Sequence, residues 1–178
     1  MELEIRNCEN QDLNDIFNIR SSYIDMSKEN FVNSARLNAD LWFVVFDDNI
    51  LIGYCLGLKC KNNPSYIVID EIVTNLSSDS KYTRRGIGTK LIKQFEEEAW
   101  KQGFKTIGFG CSDNYKVEKF YLKNGYIPIE VVINKNGQEL ERIKIPNYET
   151  GKIIQAELRS KYNAKEVNFV FEKYIYRS

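Results

Sequence analysis

The spacing of apolar residues in the first half of the chain predicts short strands and helices in turn. Four apolar runs predict strands at 3–6, 41–46, 50–58 and 66–74. The polar residues 47–49 separate two of these runs and predict a hairpin. Helical spacing predicts one helix after a cap at Asn10 or Asp12 and a second helix over 28–37.

The alternation of strand and helix patterns continues in the second half. A helix over 89–102 carries its apolar residues on one face and ends before Gly103. Further patterns predict strands at 106–111, 126–133 and 166–175 and a short helix at 114–123. The segment 138–165 gives no clear pattern apart from a short helix at 153–161. Together these elements predict one α/β domain over 1–178, with a mixed sheet and helices on both faces.

Composition restricts the kinds of protein that this chain can be. A composition of 43% hydrophobic and 28% charged residues is typical of a globular domain. No apolar run is long enough for a membrane span, and the charged start has no signal-peptide core. We therefore expect a cytoplasmic protein with no membrane partner.

The chain contains four cysteines and no histidine. Cys8, Cys55, Cys60 and Cys111 form no CxxC pair, so neither a zinc site nor a Cys-His nucleophile is expected. We expect reduced thiols and no metal. Cys111, which ends a predicted strand, is interpreted as a small core residue.

Charge is unevenly divided along the chain although the net charge is zero. Residues 1–80 contain 6 Lys and Arg against 13 Asp and Glu, whereas residues 81–178 contain 19 against 12. This can be ordinary solvated surface, or the basic half can receive an anion while the acidic half attracts a cation. The neutral total argues against a nucleic-acid partner.

The most informative polar pattern is a pair of arginines followed by two glycines, at Arg84, Arg85, Gly86 and Gly88. A helix pattern begins directly after them. Glycine permits positive φ and a close approach of a ligand to the backbone. The free N–H groups at a helix start point at an anion, so the pattern predicts a cradle for a pyrophosphate.

Two well-known phosphate motifs do not fit this cradle. The P-loop needs GxxxxGK[ST], and the spacing after Gly86 lacks it. The dinucleotide-binding fingerprint needs a third glycine where Leu91 stands.

Three stretches together resemble a known family. Residues 70–74 with 84–88 resemble the pyrophosphate motif Q/R-x-x-G-x-G/A on a strand-loop-helix unit, 106–111 is the next strand, and 114–126 resembles N-x-x-A-x-x-F-Y-x-x-x-G-F. These are the motifs of the GNAT superfamily of acetyl-CoA-dependent N-acetyltransferases. The resemblance covers 66–131 and implies a mostly antiparallel mixed sheet. One departure is Thr83, which stands at the Gln/Arg position that Arg84 and Arg85 could replace.

The resemblance also implies roles for individual residues. Those implied to bind acetyl-CoA are Ile72, Val73, Thr74, Arg84, Arg85, Gly86, Ile87, Gly88, Thr89, Asn114 and Tyr121. Tyr121 matches the general acid for the leaving thiolate, and Glu71 is the candidate base, acting through a water molecule. Tyr121 can instead be a core aromatic, Asn114 a helix cap and Glu71 a solvated carboxylate. Strand alternation places Asp70 on the face opposite Glu71.

The implied reaction is direct transfer of an acetyl group, in a ternary complex, to a primary amine of a small molecule, peptide or protein. The acidic first half would suit a cationic acceptor, and Tyr23, Asp25 and Glu29 lie in the region implied to face it. The segment 138–165 could cover the acceptor or support a homodimer. The alternative is a module that binds acyl-CoA without transferring the acyl group. The acceptor and the acyl-chain length are not determined by the sequence.

Overall fold

The computed structural model describes residues 3–74, 82, 84–135 and 137–176. Two compact units divide the chain, one formed by 1–105 with 176–178 and the other by 106–175. Residues 75–81 and the departure at Thr83 lie outside the described residues. That the whole chain forms one domain stays a prediction.

The first unit contains four strands and three helices among its described residues. In chain order they are β1 (Leu3–Asn7), α1 (Leu13–Ser21), α2 (Lys28–Asn38), β2 (Trp42–Asp47), β3 (Ile50–Lys59), β4 (Tyr66–Thr74) and α3 (Ile87–Lys101). Each strand pairs antiparallel with the next one in sequence. The predicted strands, hairpin and helices of this half are confirmed, except that α3 begins two residues earlier than the pattern predicted.

Aromatic side chains form the core of the first unit. Phe31 of α2 packs on Trp42 of β2 with 5.3 Å between the ring centroids. The indole N–H of Trp42 donates to the carbonyl of Gly57 at 3.0 Å. A Cβ at Gly57 would lie 2.3 Å from the ring of Phe95, so glycine is what lets α3 pack closely against β3. This packing fixes the helix that begins at the phosphate-cradle motif.

Strand β4 contains a β-bulge next to the candidate base. Leu56 of β3 pairs with Glu71, and the next residue, Gly57, pairs with Ile69. Asp70 is therefore an extra residue without an opposite partner on β3. Such an insertion bends the strand and breaks the alternation of its side chains.

The second unit contains the remaining two helices and four strands of the described chain. They are β5 (Thr106–Cys111), α4 (Tyr115–Lys123), β6 (Ile127–Lys135), β7 (Gln138–Lys144), α5 (Tyr148–Tyr162) and β8 (Asn168–Tyr174). β8 lies between β5 and β6, β7 lies on the far side of β6, and all the pairs are antiparallel. The predicted strands and the short helix at 114–123 are confirmed.

The segment 138–165 forms the strand β7 and the helix α5. α5 covers 148–162, whereas the sequence pattern predicted only 153–161. β7 was missed because its residues are mostly exposed and charged and show no apolar alternation. A Cβ at Gly151 of α5 would lie 2.4 Å from the ring of Phe169, so α5 packs tightly on β8.

Candidate active site

The glycine turn before α3 has the positive φ that the sequence predicted at Gly86, whereas Gly88 lies in the first turn of the helix. Arg84 and Gly86 both adopt left-handed conformations, with φ of 59° and 72°. Gly86 is the N-cap of α3, and no side chain caps the helix there. The first helical hydrogen bond runs from the N–H of Lys90 to the carbonyl of Gly86 at 2.9 Å. The three preceding N–H groups, those of residues 87–89, therefore have no acceptor within the helix.

The surroundings of this turn favour an anion. Arg84, Arg85 and Gly86 are exposed, and the first turn of α3 carries no acidic residue. A Cβ placed on Gly86 would have no heavy atom within 4 Å, so the space in front of the turn is open. The positive end of the helix dipole and two guanidinium groups meet at this point.

Residues 72–74, the predicted pantetheine contacts, form the last part of β4. Along one edge they pair with Cys55, Tyr54 and Gly53 of β3. Ile72 and Val73 are half-buried and Thr74 is exposed. Their contact with a cofactor stays a prediction.

Glu71, the candidate base, lies at the centre of a polar cluster that we call the Glu71 cluster: Arg20, Tyr23, Tyr54, Asp70 and Glu71. The hydroxyl of Tyr23 donates to Oε1 of Glu71 at 2.5 Å, and that of Tyr54 donates to Oε2 at 3.0 Å. The two hydroxyl oxygens are 2.9 Å apart. The side chain of Glu71 is only 16% exposed, so it is not a solvated surface carboxylate.

One guanidinium group joins both acidic residues of β4. Arg20 of α1 lies 2.9 Å from Asp70 and 3.3 Å from Glu71, and its side chain is 7% exposed. The prediction that Asp70 faces away from Glu71 is therefore wrong. The cause is the β-bulge at Asp70, since a bulge lets neighbouring side chains reach the same partner.

Both tyrosines of the Glu71 cluster stay protonated at neutral pH. Burial first, and then the hydrogen bond to Glu71, raise the pKa of Tyr23 to about 12. Burial, together with the hydrogen bond to Tyr23, raises the pKa of Tyr54 still further. Two neutral phenols and one guanidinium thus surround a carboxylate. Arg20 and Tyr54 could not be recognised from the sequence, because each lies within an apolar pattern typical of a core element.

In the second unit, Tyr121 lies on α4 within an aromatic cluster. Its ring centroid is 4.0 Å from that of Phe109 and 5.9 Å from that of Tyr126. The side chain is 5% exposed. Tyr121 is therefore a core aromatic, and its role as an acid stays a prediction.

Asn114 and Cys111 precede the same helix. The side-chain oxygen of Asn114 accepts from the N–H of Lys116 at 2.9 Å, so Asn114 is the N-cap of α4. Its contact with pantetheine stays a prediction. Cys111 is 2% exposed, and burial raises its thiol pKa to about 12. A thiol of this kind is a poor nucleophile, as the sequence interpretation expected.

A buried polar network, which the sequence did not reveal, joins α5 to α4. Glu118 of α4 is fully buried. Its carboxylate accepts from the hydroxyl of Tyr148 at 2.5 Å, from Nζ of Lys152 at 3.2 Å and from the amide of Gln155 at 3.5 Å. Gln155 also donates to Asp113, the residue before the α4 cap, at 3.0 Å. The network thus connects α5 with the start and the middle of the helix that carries Tyr121.

Two features are absent from the described part of the chain, a metal-binding cluster and a membrane-spanning helix. There, no cluster of three or more His, Cys, Asp or Glu side chains is arranged to hold a metal ion. No helix there combines the length and the apolar character needed to cross a membrane.

A strand, a glycine turn and a helix start that is open to an anion are typical of α/β proteins that bind a phosphorylated group. Residues 4–126 match the acetyltransferase (GNAT) family, and the chain belongs to this family of acyltransferases. The predicted family and fold class are confirmed.

One known enzyme is similar in sequence to part of the chain. Over 64 residues the chain is 34% identical to the tRNA(Met) cytidine acetyltransferase TmcA of Thermofilum pendens. The matched region is 36% of this chain and 8% of that protein. The chain thus spans a small part of that relative.

Two solved structures show the same fold over nearly the whole chain. Ard1 from Thermoplasma volcanium superposes with a TM-score of 0.70 at 14% identity, over 99% of this chain and 100% of that one. The protein yncA from Salmonella typhimurium, solved with its cofactor acetyl-CoA, has a TM-score of 0.66 at 11% identity, over 100% of this chain and 96% of that one.

Proposed function

We propose that this protein is an N-acetyltransferase that moves an acetyl group from acetyl-CoA directly to a primary amine, with both substrates bound together. The observation that carries the proposal is the glycine turn at Gly86. It presents backbone N–H groups that have no acceptor within the helix, next to two exposed arginines. The neighbour yncA, which was solved with acetyl-CoA, supports the choice of cofactor.

The proposed cofactor contacts follow the chemistry of acetyl-CoA. Arg84, Arg85 and the backbone N–H groups of 86–89 bind the pyrophosphate. The backbone of 72–74 and the side-chain amide of Asn114, whose N–H₂ group remains a donor beside the cap, bind the pantetheine arm.

The transfer forms a C–N bond and breaks the C–S bond of the thioester. The amine nitrogen must lose a proton, and the carboxylate of Glu71 accepts it. The departing thiolate needs a proton in turn, which the hydroxyl of Tyr121 provides. Neither a metal nor a covalent enzyme intermediate is required for this sequence of steps.

For the acceptor we propose a cationic primary amine, such as a polyamine, an amino sugar or a lysine side chain. The acidic character of residues 1–80 supports this choice. The tRNA cytidine acetyltransferase matches over only 64 residues, and the zero net charge does not favour nucleic acid. A cytoplasmic location agrees with the unpaired cysteines. No role is assigned to 138–165 in covering the acceptor or in a homodimer.

The first test measures thermal unfolding with acetyl-CoA, CoA, NAD or ATP. A ligand at 100 times its Kd stabilises the native state by about 2.7 kcal/mol. We expect a shift with acetyl-CoA and CoA only. No shift with either compound would contradict the cofactor assignment.

The variant Gly86→Glu tests the cradle itself. We expect it to abolish CoA binding in calorimetry, because a carboxylate would stand where the pyrophosphate binds. Gly103→Glu is the matched control, because Gly103 lies at the other end of α3 with φ of 87° and equally open space. Its backbone strain is similar, and its CoA affinity should stay unchanged. Normal CoA affinity in Gly86→Glu would refute the cradle.

Turnover distinguishes the enzyme from a module that only binds acyl-CoA. With spermidine, glucosamine or a lysine peptide present, we expect release of free CoA thiol. A protein that binds acetyl-CoA and releases no thiol with any amine would be a binding module.

A further inference from the structure

The two tyrosines on Glu71 differ in their access to solvent. Tyr23, which follows α1, is 54% exposed, whereas Tyr54 of β3 is fully buried. Each hydroxyl covers a different oxygen of the same carboxylate, Tyr23 on Oε1 and Tyr54 on Oε2. Arg20 approaches Oε2 as well. Tyr23 is therefore the exposed tyrosine of the two, and its hydroxyl is hydrogen-bonded directly to Oε1 of Glu71.

The hydrogen bonds among Tyr23, Tyr54 and Glu71 allow the oxygen of Tyr23 to accept a further hydrogen bond. Three oxygen-to-oxygen contacts join Tyr23, Tyr54 and Glu71, and the two phenols supply one proton each. Both protons can point at the carboxylate, and the oxygen of Tyr23 then keeps lone pairs that can accept a hydrogen bond from outside. A phenol that donates to a carboxylate while accepting from a third group is placed to pass a proton on.

We infer that Tyr23 is a catalytic residue, whose hydroxyl takes the proton of the acceptor amine while handing its own proton to Glu71. The inference rests on the proposed acetyl transfer. It replaces the water molecule expected between Glu71 and the amine with a side chain of the protein.

The step balances in atoms and charge. An acceptor that arrives as an ammonium ion first gives one proton to solvent. The neutral amine nitrogen then forms its bond to the acetyl carbon, and a second proton moves from it to the oxygen of Tyr23. The phenolic proton moves to Oε1 of Glu71, the C–S bond breaks, and the electron pair leaves with the thiolate. Tyr23 ends as a neutral phenol, so no phenolate is formed, which suits a group whose pKa is raised to about 12.

The other charges around the carboxylate support this direction of transfer. Arg20 lies against Glu71 and Asp70, so the charge of Asp70 is balanced by the same guanidinium.

An alternative role predicts a different result. If the phenols act only by stabilising the charge of the carboxylate, removing either hydroxyl should have the same effect. If Tyr23 carries the proton, its removal should lower the maximal rate far more than removal of the Tyr54 hydroxyl.

The test measures kcat against pH for wild type, Tyr23→Phe, Tyr54→Phe and Glu71→Gln. Acetyl-CoA is saturating, and the acceptor is the best of spermidine, glucosamine and a lysine peptide. We expect Tyr23→Phe to lower the plateau of kcat by about 100-fold, in the usual range for acid–base catalysis, with an unchanged KM for acetyl-CoA. Tyr54→Phe should lower the plateau of kcat much less than Tyr23→Phe does, because the Tyr54 hydroxyl holds the carboxylate of Glu71 without passing on a proton. Thermal unfolding of each variant checks that it is folded.

Each outcome bears on the inference separately from the proposed function. An active Tyr23→Phe with a wild-type plateau, beside an inactive Glu71→Gln, would overturn the role of Tyr23 and leave the acetyl transfer intact. Equal loss in Tyr23→Phe and Tyr54→Phe would also overturn it. A wild-type protein that binds acetyl-CoA and releases no thiol with any acceptor would overturn both.

Discussion

The two tyrosines singled out for catalysis are held in different ways. Tyr23 is half-exposed and held by hydrogen bonds in the Glu71 cluster. Tyr121 is buried and held by aromatic packing. Aromatic packing positions the ring of Tyr121. It does not by itself assign a role to the hydroxyl.

Replacing Tyr121 by Phe keeps the ring and removes only the hydroxyl. We expect kcat to fall by about 10- to 100-fold with little change in acetyl-CoA affinity, because the departing thiolate loses its proton donor. Steady-state kinetics together with calorimetry will measure the two quantities. Tyr126→Phe is the matched control, since Tyr126 lies in the same aromatic cluster and is 1% exposed. Equal rates in the two variants would remove Tyr121 from the mechanism.

Single residues were predictable where the chemistry is local. The left-handed turn at residue 86 follows from its glycine, because glycine adopts positive φ without a steric penalty. The partners of Glu71 were not predictable in this way. Arg20 and Tyr54 are 51 and 17 positions away from it in sequence, and neither stands in a recognisable motif.

At the scale of elements, α5 is the part of the second unit that the sequence described least well. It lies between β7 and β8 and holds α4 through the buried carboxylate of Glu118. A buried charge that has lost a partner destabilises a fold strongly. The contacts of α5 should therefore matter for the stability of the helix that carries Tyr121.

Lys152→Met tests this connection between the helices. We expect it to lower the free energy of unfolding by about 2 kcal/mol, less than for a fully buried pair, because the lysine side chain is 37% exposed. Lys161→Met is the control on the same helix. Lys161 pairs with Glu141 at the surface, and its loss should lower the free energy of unfolding much less than the loss of Lys152. Denaturant unfolding of both variants measures the difference, and equal costs would show that the Glu118 network adds no stability.

Elements were predicted well where one face is apolar and poorly where it is not. The strand at 66–74 agrees with β4 to the residue, because β-branched and aromatic residues fill most of it. The β-bulge within it was invisible, since it arises from pairing with β3 rather than from the residues of β4. β7 was missed because an exposed charged strand has no apolar period.

At the scale of the molecule, the division of charge along the sequence makes a prediction about the acceptor. We expect kcat/KM for spermidine to exceed that for glutamate by at least about tenfold at low salt. The advantage should shrink as ionic strength rises from about 0.01 M to about 0.15 M, since the screening length falls from about 30 Å to about 8 Å. Steady-state assays with both amines at the two salt concentrations measure it. Activity confined to neutral or anionic amines would contradict the prediction.

The sequence by itself determined the family, the order of most elements and the glycine turn at Gly86. These features depend on local periods and on the spacing of Arg84, Arg85, Gly86 and Gly88, which neighbouring residues set without help from the rest of the fold. Only the tertiary structure decided the surroundings of Glu71 and Glu118. Both carboxylates take their partners from elements distant in sequence, and such contacts arise from packing and strand register, which no local pattern records.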